Sequence, residues 1–477
     1  MGCISITPSK EPDPDPEDPP IIDPPVIEED DHLDDEISPN LNKANDVYNK
    51  LFTYGNKIEF TLDFTNQALL KLQEYGEKWG NNDNFVKNEM YHPCTLTLKI
   101  NDDTSIYYEV GARMRGNTSR VNNFIANNGF FTGQDFHFKL NFAQTFDNSN
   151  DNDYFIHKWI DKDKKAERED RKIGKMKKLD FKFNRNHDGT FTKELYALDA
   201  FRNNGVLAQH ANLVKVTINS ERDSRTLLYT MYESVDKQLL KKAYPSDYSG
   251  DLYKCLYQAS KADLTNTDNL GVERQGFNPT YSLKTNEDSS DMSQFKTLIN
   301  KINTKSISGE EYYQLVKDYI DVDYFINYSA LCWVFGLPDD LRNNANNYYL
   351  YFNKDNKAIF LPYDNDRCLG IRNNWDIDLK NTPWNHTEGV YGWNDCPLIH
   401  RFLDGGSNNS HKVYDVIQNQ FHQLCIDYAN DILDVNKFET FTKQFEGIAP
   451  SVDINNAGDN NDTFAIYANA KKETLNQ

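Results

Sequence analysis

The stretch from Gly336 to Gly370, GLPDDLRNNANNYYLYFNKDNKAIFLPYDNDRCLG, constrains the fold more than any other part of this chain. Two apolar runs, YYLYF and AIFLPY, flank a polar turn at Asn353–Lys357, which is the pattern of an antiparallel hairpin. Oxygen-bearing side chains stand at both open ends. Asp339, Asp340, Asn346 and Asn347 precede the first strand, and Asp364, Asn365 and Asp366 follow the second. Paired strands lie about 5 Å apart, so these groups can converge. Such a set suits a hard divalent cation such as Mg²⁺. A catalytic Asp, a downstream Asn and a later metal-binding Asp is also the order that phosphoryl transfer uses. Asp and Asn are ordinary turn residues as well, so two solvated turns stand as the competing reading.

At 477 residues the chain has room for roughly two to three folding units of ~150 residues. Its 28 Tyr and 28 Phe supply the area for a packed core. The net charge of −21 argues against a nucleic-acid backbone or an anionic lipid surface as partner. Much of that charge lies in the first 36 residues, so the folded part is less acidic than the total. Seven dispersed cysteines show no metal-ligand spacing and no disulfide framework, and Cys332 and Cys425 sit in apolar surroundings that predict buried thiols. No apolar run reaches the ~18 residues that a membrane span needs.

Residues 1–45 alternate Pro with Asp and Glu and form an acidic, extended tether unable to build a core. Cys3, in Met1-Gly2-Cys3, stands where the mature start of a bacterial lipoprotein carries its lipid anchor, although an accident of the gene start would give the same residues. The folded body spans 46–450, strand-rich over about 55–245 and helix-rich over about 290–450, with a weakly patterned tail at 451–477. That order predicts an α+β, two-lobed body. Within it, residues 145–178 are polar and charged and read as a surface insertion.

Three further stretches carry candidate chemistry. GARMRGNTSR ends a strand in a small-residue turn, where backbone amides at Gly116 and Asn117 beside Arg115 can hold phosphate oxygens. Lys139 projects from FHFKLNF on the face opposite Phe136, Phe138, Leu140 and Phe142; an outward lysine is more often simply solvated. Glu233 follows LLYTMY at a helix start, where capping is the ordinary role; as a functional group it pairs with Lys139. Trp375, Trp384 and Trp393 leave a carbohydrate-binding reading open on aromatic content alone.

Taken in order, GARMRGNTSR, FHFKLNF, KLDFKFN…KELYALDAFRNNGV, VKVTIN…LYTMYESVDKQLL and the 336–370 hairpin resemble the CotH-like proteins, atypical protein kinases named after a bacterial spore coat protein. The resemblance covers roughly residues 55–445, and RGNTSR, YESVD, DDLRNNANNYYLYF and PYDNDRCLG are its most specific parts. It implies a shortened, rearranged protein-kinase-like fold. The implied activity uses ATP with Mg²⁺ or Mn²⁺ to phosphorylate Ser or Thr of coat or surface proteins. The alternative is a non-catalytic structural or adhesive surface protein. By the resemblance, Asp339 or Asp340 is the catalytic Asp, and Asn347, Asp364 and Asp366 hold the metal. Lys139 binds phosphate with Glu233 as its partner, beside Arg115, Gly116 and Asn117. The expected setting is extracytoplasmic: a monomeric, surface-anchored lipoprotein, or else a spore-coat or secreted protein.

Overall fold

Period-two alternation in the first half of the chain closes a barrel, and the hairpin described above belongs to a second sheet packed under helices. The computed structural model describes residues 28–30, 45–80, 90–116, 119–147, 157–159, 161–274, 277–373, 376–386, 388–389, 392–393, 395–403, 414–450 and 453–476. The candidate residue Asn117, the Cys3 anchor, most of the acidic tether and Trp375 lie outside the described residues.

The first half runs β1 (Glu28–Asp30), α1 (Asn45–Phe52), β2 (Ile58–Asp63), α2 (Asn66–Gly80), β3 (His92–Ile100), β4 (Asp103–Met114) and β5 (Phe138–Asn141). It continues through β6 (His157–Trp159), α3 (Lys162–Glu169), β7 (Lys178–Phe183), α4 (Lys193–Asn203), β8 (Ala211–Asn219), β9 (Ser224–Glu233) and α5 (Lys237–Ala243). Seven of these strands close in the order β2-β3-β4-β5-β7-β9-β8, with β8 parallel to β2 and every other pairing antiparallel. Closure leaves no free edge, a feature the strand count in the sequence did not announce. Alternate residues fill the interior: Phe60, Phe138, Leu140, Leu179 and Phe181 are buried, and Phe138 stacks on Phe181 with centroids 4.5 Å apart. Each such side chain contributes about 1.5–3 kcal/mol by leaving water.

The 145–178 stretch is not a purely solvated insertion. Arg171 is buried and donates to the carbonyls of Phe142, Tyr108 and Glu109 at 2.5, 2.7 and 3.0 Å, and buried Arg168 reaches Glu109 Oε2 at 3.3 Å. Arg171 satisfies carbonyls at the irregularity in the middle of β4 and just past β5, and Arg168 pairs with the Glu109 carboxylate, so a segment rich in charge is tied to the barrel.

The second sheet is built from β10 (Leu252–Cys255), β11 (Leu270–Val272), β12 (Tyr281–Leu283), β13 (Tyr348–Phe352) and β14 (Ala358–Pro362), in the order β11-β12-β10-β13-β14. The expected hairpin is present, paired from Tyr348 opposite Pro362 to Phe352 opposite Ala358. Around it lie α6 (Ser293–Ile302), α7 (Gly309–Val316), α8 (Val322–Phe335), α9 (Pro397–Phe402), α10 (Asp415–Ile432), α11 (Val435–Thr442) and α12 (Phe464–Glu473). Helix α8 is apolar on nearly every side and is buried between α10 and β14, as a helix without a polar face must be. Gly336 ends it at φ +61°, with Gly336 N–H donating to Trp333 O and Leu337 N–H to Cys332 O. A Cβ there would lie 2.4 Å from Tyr467 Oη, so only glycine turns the chain into the 337–347 loop.

The tail expected to be weakly patterned contributes α12 to this core. Phe464 stacks on Phe438 at 4.1 Å, and Tyr467 donates to Val334 O at 2.9 Å. The six described cysteines are all buried free thiols, Cys332 and Cys425 among them. Among the described residues no helix is long and apolar enough to cross a membrane. Trp384 stacks on His422 at 4.1 Å and packs against the core, which accounts for it without a sugar; the side chain of Trp393 is outside the described set.

Candidate active site

Where the barrel wall meets the open ends of the β13–β14 hairpin there is a cleft of about 390 Å³. Strand register puts one set of residues on its barrel side. Arg113 pairs across to Lys139, Lys139 to Asp180, and Asp180 to Tyr232, so one row crosses β4, β5, β7 and β9. Two residues further along, Arg115 just past β4, His137 just before β5 and Lys182 in β7 continue that face, while Phe138 and Phe181 point into the barrel. The hairpin side supplies Asp339, Asn346, Asn347, Asp364, Asp366 and Arg367, and β10 adds Lys254. Gly116 also lines the cleft.

Asp339 and Asp340 separate cleanly. Asp339 lines the cleft, with Oδ1 accepting from Asn344 Nδ2 at 2.8 Å and Oδ2 in a salt bridge with Arg367. Asp340 is buried and turned away. It accepts from Asn343 N–H at 2.7 Å and Asn343 Nδ2 at 3.1 Å, and burial pushes its carboxyl up to about 6. Asn347 and Asp364 both line the cleft in the left-handed region, at φ +47° and +60°. Asn and Asp tolerate that conformation better than most residues, and such outliers concentrate at functional sites.

At the centre is Lys182. Its Nζ contacts Asp364 Oδ1, lies 3.3 Å from Glu194 Oε1 and 3.6 Å from Asp366 Oδ2, and sits 5.0 Å from the centre of the Tyr232 ring. Glu194 stands in the first turn of α4 and also accepts from Tyr232 Oη. Burial opposes the charge on Lys182, but Asp364, Asp366 and Glu194 outweigh it and hold the ammonium well above its ordinary pKa. Burial likewise works against an ionised Asp364, and Lys182 with Arg115 brings its carboxyl below the usual range. Asp366 goes the other way, up to about 7, because burial and the neighbouring Asp364 outweigh Lys182.

The expected partnership of Lys139 with Glu233 is not present. Lys139 Nζ is 3.3 Å from Asp180 Oδ1, which also faces Arg115 Nε at 3.2 Å. Burial would raise the Asp180 pKa, but Lys139, Arg115 and the Ser234 hydroxyl hold it well below the carboxylate range. Glu233 follows Tyr232 by one residue, so strand alternation turns it from the row that contains Lys139. It accepts instead from Tyr48 Oη at 2.9 Å and His210 N–H at 2.8 Å, and it pairs with Lys242. Lys182, Glu194, Asp180 and Lys254 were not singled out in the sequence. In KLDFKFN, Asp180 and Lys182 alternate with apolar residues, as any outward polar pair on a strand does, and Glu194 lies in the first turn of the next helix.

Among the described lining residues, eight Lys and Arg side chains face four carboxylates in a chain of net charge −21. His137 Nε2 is buried beside the cleft with no hydrogen-bond partner among the described residues, and burial with Lys182 and Arg115 keeps the ring neutral. The lining thus carries more cations than carboxylates. Among the described residues no group of three or more His, Cys, Asp and Glu side chains could hold a metal alone. The donors present, Asp364 and Asp366 with the Asn347 amide nearby, fit a cation such as Mg²⁺ that binds through one or two carboxylates while phosphates and waters complete its shell.

Residues 138–455 match the family described as CotH kinase protein. The chain belongs to that family. The match takes in the cleft from Lys139 to Arg367 and most of the helical half, so in this CotH kinase family member the hairpin and Lys182 lie within the shared core. No curated protein matches the chain.

Proposed function

We propose that the chain is an ATP- and divalent-metal-dependent protein kinase that phosphorylates Ser or Thr of coat or surface proteins. The observation that carries this is the Lys182 cluster: one buried ammonium faces Glu194, Asp364 and Asp366 in a cation-lined cleft that also presents Asp339 and Asn347. Lys182, with Arg115 and Lys139 beside it, binds the phosphate oxygens, and Glu194 orients the ammonium from α4. This gives the phosphate-binding lysine role to Lys182, with Lys139 as a supporting cation.

Asp364 and Asp366, with Asn347, would hold the metal, which would supply charge neutralisation on the phosphates. Asp339, fixed by Asn344 and Arg367, accepts the proton of the Ser or Thr hydroxyl. The hydroxyl oxygen bonds to the γ-phosphorus as the bond to the β-phosphate oxygen breaks, and ADP leaves. Fixed cations aimed at the transferring group are the main source of rate in such a site. The extracytoplasmic, tethered setting belongs to the same reading.

The test is incubation of the purified chain with γ-labelled ATP and Mg²⁺ or Mn²⁺, beside Asp364→Ala. The expected result is labelling of the chain or of a Ser-rich protein that Asp364→Ala abolishes. No labelling, or equal labelling by the variant, overturns the reading. ATP binding without transfer would assign the chain to the non-catalytic alternative.

A further inference from the structure

A second cavity, about 630 Å³, lies between α1, the turn at Ile173–Met176 and α5. Gly174 and Lys175 have φ of +50° and +70°, and Ile173 pairs with Met176 across them, which makes a tight hairpin turn. The turn sits directly on α1: a Cβ on Gly174 would lie 2.7 Å from Tyr48 N. Five lysines line the space, Lys172, Lys175, Lys178, Lys241 and Lys242, above buried Met176 and Leu239.

Both carboxylates in the lining are already engaged. Glu233 is held by Tyr48, His210 and Lys242, and Asp236 caps α5 through the Gln238 and Leu239 amides. Lys172 pairs with Asp170 at 2.5 Å, whereas Lys175, Lys178 and Lys241 make no ion pair among the described residues. The cavity therefore carries unneutralised positive charge in a chain of net charge −21.

We propose that this cavity binds an acidic peptide segment of another protein. Its volume exceeds what one inorganic anion needs, and its floor is apolar. Its cations are lysines, point charges on long stems, in contrast to the arginine forks of the cleft that match phosphate geometry. Of the chain's own acidic run, the described residues Glu28–Asp30 form β1 alongside β6 and are not among those that line the cavity. Residues 233–236 separate the cavity from the cleft, and Ser234 Oγ donates to Asp180 Oδ2 at 2.7 Å. The inference does not depend on phosphoryl transfer.

The test is fluorescence anisotropy of a labelled Glu/Asp nonapeptide with the full chain, beside a matched Gln/Asn peptide. The acidic peptide binds, the neutral one does not, and Lys175→Glu/Lys178→Glu/Lys241→Glu weakens binding by about tenfold or more. Lys178→Gln with an unchanged melting temperature gives a smaller loss in the same direction. The proposal is overturned by no binding, by equal binding of the neutral peptide, or by displacement with ATP, which would place the peptide in the cleft. It is also overturned if neutralising the acids of residues 28–36 raises affinity, which would make the chain's own segment the occupant.

Discussion

Lys182 Nζ stands 3.3 Å from Glu194 Oε1 while also contacting Asp364 and lying 3.6 Å from Asp366, so one ammonium is shared among three carboxylates from a helix and a strand end. Removing the ammonium leaves mutually repelling, partly buried charges. Breaking a buried ion pair from one side costs on the order of 3–5 kcal/mol. Lys182→Met should therefore melt at a lower temperature than the wild type in EDTA. Added Mg²⁺ should restore more stability to the variant than to the wild type, because a cation again separates the carboxylates. Calorimetry with and without Mg²⁺ checks both statements, and transfer should fall by roughly 10² or more.

The adjacent acids predict a division of labour. Asp339 opens on the cleft between Asn344 and Arg367, while Asp340 caps its own loop through Asn343. Asp339→Asn should lower kcat by about 10²–10⁴ with little change in ATP affinity. Asp340→Asn should keep most of the activity. Steady-state kinetics of the two variants decide the matter; equal losses would remove the distinction.

The hairpin, its turn and the Phe-lined face of β5 were legible in the sequence because each depends on local alternation and turn chemistry. Barrel closure was not, because it depends on which distant strands pair, and β8 joins β2 across the whole barrel. The site was legible where a residue sits at a strand end beside Asp or Asn, as Asp364 does. Lys182 was hidden because, within KLDFKFN, nothing local distinguishes a lysine that faces a cleft from one that faces water. Glu233 misled for a related reason: one residue along a strand reverses its face, and only the register with β7 decides which way it points.

Asp340 also predicts a pH dependence. Its folded pKa of about 6 lies above the ordinary 3.8 because of burial. A raised acid favours the folded state while protonated, so this contribution is present below about pH 4, is lost as the pH climbs to 6, and is flat above. The difference across that window is on the order of 3 kcal/mol. In Asp340→Asn this component is absent, so the stability difference between variant and wild type should shift in favour of the variant from pH 4 to 7. Denaturant titrations at those pH values check the slope; a constant difference would contradict it.

Lys254 gives the matching prediction for ligand affinity. It lies on β10 opposite Tyr349, donates to Tyr363 Oη at 3.1 Å and stands 4.4 Å from the centre of that ring. Burial brings its ammonium down to about 7, with Arg115, Lys284 and Lys139 repelling it further. Below that pH the side chain is charged and attracts phosphate; above it the attraction fades. A charge-assisted hydrogen bond is worth about 1.5–3 kcal/mol, so ATP affinity should weaken by roughly tenfold as the pH rises from 6 to 8. Lys254→Met should bind like the wild type at the alkaline end and show less pH dependence than it over the window. Comparing the two proteins removes the titration of ATP itself. Titration calorimetry at three pH values reads the difference, and parallel curves would show that Lys254 stays uncharged or distant from the ligand throughout.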